Sequence, residues 1–318
     1  KLVGVLGIGG IGKTALAARL GDSIAADFDL AIWRSLREAP PLNQLLGELV
    51  QFLSAFTEIE VPNSSNRSIS RLLYHLRQKR CLIVLDNVEA IMEAGEYAGN
   101  YRSGYADYGQ LFHSIGTSRH QSCLLFTSRE PPPEIAELAG EDLPVRSLWL
   151  SGLAATAPTL LSKIGLDGSE SQLLAVSERC QGNPLYLRIV ANTIVNSFNG
   201  EIETFLSANQ FTYGKIANVL QSQLDRLSPT EKLIIYYLAI GREPISLDRI
   251  EAHLQPLGRD LALIQTIDSL QQRSLLEVTQ GQRYTLQNVV MEFMTGATIR
   301  TLVGEITNDA LGEPLALQ

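Results

Sequence analysis

The chain has 318 residues, enough for about two domains, and 45% of them are hydrophobic, which provides for real cores and excludes wholesale disorder. A net charge of −8 excludes a generally basic, nucleic-acid-binding surface. No signal peptide and no bilayer-length apolar run is present, so a cytoplasmic location without a membrane partner is expected.

Cys81, Cys123 and Cys180 lie far apart inside apolar or helical runs. They read as small buried residues of a reducing compartment, not as ligands or disulfides. The chain opens at Lys1 directly in an apolar run, without a Met, and reads as a segment of a longer polypeptide.

Leu2–Leu6 is a short apolar strand, and Gly7-Ile8-Gly9-Gly10-Ile11-Gly12-Lys13-Thr14 follows it. This stretch fits the P-loop pattern Gly-x-x-x-x-Gly-Lys-[Ser/Thr]. The glycines let backbone N–H groups turn inward around a phosphate, because no side chain blocks the approach. Lys13 would set its ammonium on the β- and γ-phosphates, and Thr14 would offer its hydroxyl to Mg²⁺. The helix that begins at Lys13 aims its positive end at the same anion. The alternative is a Gly-rich turn that matches by chance, and strand, loop and helix in this order weigh against it.

Up to about residue 150 strand-like and helix-like segments alternate, which predicts an α/β domain with a parallel sheet. Leu30–Trp33 is a strand; Leu45, Leu46, Leu49, Val50 and Leu53 form one helical stripe, and Ile69, Leu72, Leu73 and Leu76 another. Cys81–Asp86 is a continuous hydrophobic strand ending in a carboxylate, placed to hold Mg²⁺ opposite Thr14 or, alternatively, to cap a turn. Asn87 stands where many hydrolysing P-loop ATPases carry a second acid, and an amide cannot accept a proton. Glu89 is the substitute base on offer, and the plainer reading is an ordinary exposed acid.

Residues 95–109, with Tyr97, Tyr101, Tyr105 and Tyr108, read as a long loop. Its tyrosines either meet a partner or pack on the domain itself. Ser122–Phe126 is a further strand, followed by Thr127-Ser128-Arg129. Arg129 is placed to sense a γ-phosphate, against the alternative of a surface pair with Glu130. Val145–Leu150 supplies the last strand.

From residue 151 the pattern is mainly helical. Gln181-Gly182-Asn183-Pro184-Leu185 reads as a turn between two helices. Helices are predicted at 216–227, 229–240, 247–254 and 260–272, then a hairpin over 275–286. Helices followed by a hairpin make a winged helix. Residues 216–300 carry eight Lys/Arg against nine Asp/Glu, and the helix facing a groove would bear Asp260 and Asp268. That argues against nucleic acid and for an internal docking module. The expected domains are 1–150 (P-loop), 151–212 (small helical), 213–300 (winged helix) and a linker over 301–318.

The ordered set Gly7–Thr14, Leu82–Asp86, Thr127–Arg129, Gly182–Leu185 and Tyr284–Asn288 resembles the NB-ARC type of STAND P-loop ATPases. The wording Leu85-Asp86-Asn87-Val88-Glu89 looks most like cyanobacterial members, which carry C-terminal β-propeller repeats. The resemblance implies an ADP-bound off state and an ATP-bound state that self-oligomerises, with an N-terminal effector and C-terminal sensor repeats on the same longer chain. It implies contacts to ADP/ATP from Gly7, Gly9, Gly10, Ile11, Gly12, Lys13, Thr14 and Ala15, and from Pro184, Leu185 and Gln287. Mg²⁺ falls to Thr14 and Asp86, and the catalytic candidates are Asp86, Glu89 and Arg129. Gln287 stands where the family favours His, so it donates to phosphate without titrating near neutral pH; alternatively Asn288 caps the last helix and Gln287 is exposed.

The function expected is a slow nucleotide switch. The alternatives are a turnover ATPase acting on DNA or protein and a winged-helix DNA-binding regulator.

Overall fold

The computed structural model describes residues 1–57, 64–140, 142–207, 214–254, 262–279 and 281–307, with side chains left out at 214, 215 and 301–307. The chain divides into two compact units, Lys1–Ile8 with Gly12–Leu150, and Gly9–Ile11 with Ser151–Gln318. Among the described residues no helix is long and apolar enough to cross a membrane.

The first unit runs β1 (Leu2–Leu6), α1 (Lys13–Ile24), β2 (Leu30–Ser35), α2 (Leu42–Leu53), α3 (Ser65–Gln78), β3 (Cys81–Asp86), α4 (Asp107–Thr117), β4 (Cys123–Ser128), α5 (Pro133–Leu138) and β5 (Val145–Trp149). The strands form one sheet in the order β2-β3-β4-β1-β5, with every neighbouring pair parallel. Alternation along the strands assigns the two faces. Ile83 and Leu85 of β3, with Leu124 and Phe126 of β4, join the large core under α2, α3 and α4. Leu82 and Val84, with Val5 and Leu125, face the smaller cluster that holds Ala17 of α1. A strand covered on both faces reads as a continuous apolar run, which is why Cys81–Asp86 shows no polar alternation.

The long loop predicted over residues 95–109 ends early, because α4 begins at Asp107. Tyr108, Leu111, Phe112 and Ile115 lie at helical spacing and are buried, so the Gly- and Tyr-rich composition concealed a core helix. Tyr101, Tyr105 and Tyr108 pack on their own unit. Tyr105 donates to Ala39 O at 2.6 Å, Tyr108 to Pro40 O at 2.8 Å, and Tyr101 to the Glu134 carboxylate at 2.7 Å. Burial, then the neighbouring carboxylate, holds the Tyr101 phenol above its ordinary range.

The second unit runs α6 (Ala157–Lys163), α7 (Glu170–Arg179), α8 (Pro184–Ser197), α9 (Ile202–Ser207), α10 (Gly214–Leu224), α11 (Pro229–Gly241), β6 (Ile245–Ser246), α12 (Leu247–Leu254), α13 (Leu263–Gln272), β7 (Leu276–Thr279), β8 (Arg283–Leu286) and α14 (Asn288–Thr307). β7 and β8 form the expected antiparallel hairpin, and β6 adds to the far edge of β8. Asp260 lies outside the described residues, and α13 is described from Leu263. α14 continues to Thr307, over the first part of the segment expected to be a linker. Gly296 and Gly304 each cost the helix only about 1 kcal/mol and do not stop it. Residues 308–318 lie outside the described residues.

α11 opens on a capping box. Ser228 Oγ accepts from Glu231 N at 3.2 Å, and Glu231 Oε2 accepts from Ser228 N at 2.7 Å. The fully buried Glu231 also accepts from Ser269 Oγ at 2.7 Å and pairs with Arg273 Nε at 3.3 Å, both on or just after α13. The cysteines are free thiols with raised pKa. Burial pushes Cys180 up to about 12 and raises Cys81 and Cys123 as well, so none is a ready nucleophile.

Candidate functional site

The carboxyl ends of β1, β3 and β4 bring one set of polar residues together in the first unit. The loop leaving β1 needs glycine where the backbone takes positive φ, at Gly7 (142°) and Gly12 (104°). Gly12 is the N-cap of α1 and places no side-chain bond on it. The first-turn N–H groups of α1 therefore remain available to an anion. Lys13 is buried at the start of α1, and its Nζ donates to Gly7 O at 2.7 Å and Ile8 O at 3.1 Å. Burial pushes its pKa down to about 8, against the pull of Glu89 and then Asp86, while Arg129 adds to the lowering. Lys13 is thus a cation held against loop carbonyls, and a phosphate would offer it stronger acceptors.

Asp86 closes β3 and is buried. Its Oδ1 accepts from Thr14 Oγ1 at 2.9 Å and, in a shorter bond, from Thr127 Oγ1 of β4. Thr127 Oγ1 in turn accepts from Asn87 N at 3.0 Å. One chain of hydrogen bonds therefore ties the loop helix to the ends of two strands. Thr14 gives its proton to Asp86 and keeps its oxygen lone pairs for a cation. A hydroxyl and a carboxylate, both hard oxygen donors, fit Mg²⁺, which takes the rest of its shell from water and phosphate. Thr127 was named from the sequence only within the Thr127–Arg129 motif, without a role of its own; its signal was a hydroxyl near the end of an apolar strand.

Glu89 departs from the plainer expectation. It is buried, 6% exposed, and Oε1 lies 3.1 Å from Arg129 Nε and accepts from Asn87 Nδ2 at 3.3 Å. Asn87 sits in the left-handed region at φ 66°, which carries its carboxamide back toward Glu89. Arg129, half-buried after β4, pairs with Glu89 across the sheet end, and Glu130 is itself buried. Ala15 is exposed on α1 beside Thr14.

The loop tip, Gly9–Ile11, groups with the second unit. There Asn183 caps α8, its Oδ1 accepting from Leu185 N at 3.1 Å and Tyr186 N at 3.4 Å, while its Nδ2 donates to Gly9 O at 3.1 Å. Leu185 N also donates to Gly10 O at 3.3 Å, and Pro184 occupies the first turn of α8. The turn between the two helices therefore also grips the loop tip, and Asn183 does so without a role expected from the sequence. Gln287 is half-buried, and its carbonyl accepts from Met291 N at 2.8 Å. Gln287 thus holds the cap position and Asn288 is the first helical residue, so the alternative of an exposed Gln287 before an Asn288 cap is corrected.

The NB-ARC domain family matches residues 1–103. An uncharacterized WD repeat-containing protein of Nostoc sp. is 40% identical over 319 residues, covering 96% of this chain and 25% of the relative. Disease resistance protein RRS1 of Arabidopsis thaliana is 26% identical over 314 residues, covering 94% of this chain and 21% of the relative. The chain thus spans about a quarter of the length of these curated relatives. A Walker-type ATPase of Pyrococcus abyssi shares the fold with a TM-score of 0.59 at 17% identity, over 92% of this chain and 90% of the other. The ORC2 protein of Aeropyrum pernix, solved as ADPNP-ADP complexes, gives 0.51 at 15% identity, over 95% and 89%.

Proposed function

Because the chain belongs to the NB-ARC family of P-loop ATPases, we propose that it is a nucleotide-operated switch that holds ADP in an off state and ATP in a state that self-associates. The observation that carries this reading is the Thr14–Asp86–Thr127 hydrogen-bond chain beside a buried Lys13. Lys13 and the backbone N–H groups from Gly7 to Ala15 would take the β- and γ-phosphates, and Thr14 with Asp86 would hold Mg²⁺. A bound Mg²⁺ supplies neutralisation of phosphate charge. Arg129 would sense the γ-phosphate, and the family resemblance gives Pro184, Leu185 and Gln287 contacts to the nucleotide.

Asn87 in place of an acid supports slow hydrolysis. The winged-helix reading of residues 213–300 favours internal docking, since its formal charge is near balance and gives no basic face for DNA. The reading also places the chain in a longer cytoplasmic protein with an N-terminal effector and C-terminal sensor repeats; the WD repeats in the name of the Nostoc relative support the repeats alone.

Thermal unfolding with and without Mg²⁺·ADP tests the nucleotide reading. A ligand at 100 times its Kd stabilises the folded state by about 2.7 kcal/mol, so the midpoint should rise by several degrees. Lys13→Ala should abolish the rise, because it removes the phosphate cation. An unsubstituted chain whose midpoint ignores millimolar ADP would refute the reading.

A further inference from the structure

Glu89 is a buried carboxylate whose two oxygens are treated differently. Oε1 is held by Arg129 at 3.1 Å and by Asn87 Nδ2 at 3.3 Å. Oε2 is shielded from solvent and has no hydrogen-bond partner among the described residues. A buried carboxylate oxygen left without a donor costs free energy, and such groups mark places where water or a ligand arrives. Glu89 is also among the charges that act on Lys13, so its carboxylate lies near the phosphate-binding cation.

Arg129 is a single guanidinium that can serve two anions. A terminal phosphate, with up to two negative charges and three oxygens, is a stronger partner for a planar bidentate donor than one carboxylate oxygen. Asn87 is different in kind. Its backbone is pinned through Thr127 and its left-handed turn keeps the carboxamide on Glu89, whatever Arg129 does.

Resting on the nucleotide reading above, we propose that the Arg129–Glu89 ion pair is a lock opened by the terminal phosphate of a nucleoside triphosphate. The γ-phosphate draws Arg129 away, and Glu89, kept in place by Asn87, becomes the acceptor for a water proton. Water oxygen then bonds to the γ-phosphorus as the bond from that phosphorus to the bridging oxygen breaks. The electron pair leaves on the diphosphate, the water proton passes to Glu89, and Glu89 returns it to the released phosphate. Asn87 is a positioning residue, and Glu89 touches the reacting water. A diphosphate leaves the lock shut, so the same pair both discriminates the nucleotides and withholds the base.

Fluorescent ADP and a non-hydrolysable triphosphate analogue, titrated onto the full 318-residue chain, test this. Glu89→Gln removes the competing charge and keeps the shape, so the analogue should gain about tenfold over ADP while turnover falls about 100-fold. Arg129→Gln should remove the preference for the triphosphate. The double variant should match Arg129→Gln alone, because without the arginine there is no pair to release. An unchanged analogue-to-ADP ratio in Glu89→Gln, or effects that simply add in the double variant, overturns the lock while leaving nucleotide binding standing. Should Glu89→Gln not fold, an Arg129→Gln chain that keeps its triphosphate preference overturns the lock by itself. Failure of the unsubstituted chain to bind either nucleotide overturns the nucleotide reading and the lock together.

Discussion

Thr14 and Asp86 are separated by 72 positions in sequence and by 2.9 Å in space, and that single bond explains much of the site. The P-loop itself was legible because each of its requirements is local: positive φ at Gly7 and Gly12, an uncapped helix start, a cation at Lys13. The surroundings of Glu89 were not legible, because its partner Arg129 follows β4, 40 positions further along the chain. Thr127 escaped for the same reason. A hydroxyl at a strand end has no meaning until β3 and β4 are seen side by side. At this scale the account makes a sharp prediction for Gly10, which has φ 82°. A Cβ there would stand 2.8 Å from Leu185 Cβ and 3.0 Å from Asn183 Oδ1. Gly10→Ala should therefore lower stability by about 1–3 kcal/mol through strain and overpacking, read as a lower denaturant midpoint at unchanged slope.

Elements were legible where burial imposes one pattern and obscure where tertiary contacts override composition. β3 announced itself as an unbroken apolar run because both its faces are covered. α4 did not, because Gly109, Gly116 and two flanking tyrosines suggest a loop, and only packing of Tyr108, Leu111 and Phe112 against the sheet makes the helix. The glycine at 109 has its own reason: a Cβ there would collide with the Glu134 carboxylate that Tyr101 holds. In the second unit, α11 and α13 are joined by the buried pair of Glu231 and Arg273. Removing one member leaves the other charge buried, which costs about 3–5 kcal/mol. Arg273→Ala should therefore destabilise the chain by that order in a urea titration, whereas trimming the exposed pair of Arg249 and Glu243 should cost under about 1 kcal/mol.

In the first unit, the parallel sheet places the P-loop, the strand-terminal acid and the arginine at the carboxyl ends of its strands, and the NB-ARC match over residues 1–103 agrees with that arrangement. On the proposed reading, Asn87 and the Arg129–Glu89 pair favour slow turnover and so retention of nucleotide, while Gln287, in place of the family His, offers ADP a contact without charge. A protein of this kind should carry its ligand through purification. The most direct test is therefore to denature the purified chain by heat and identify what it releases by ion-exchange chromatography. The account predicts ADP in near-equimolar amount to the chain, and none from Lys13→Ala. A folded chain that releases no nucleotide, and still retains none after incubation with Mg²⁺ and ATP, would contradict it.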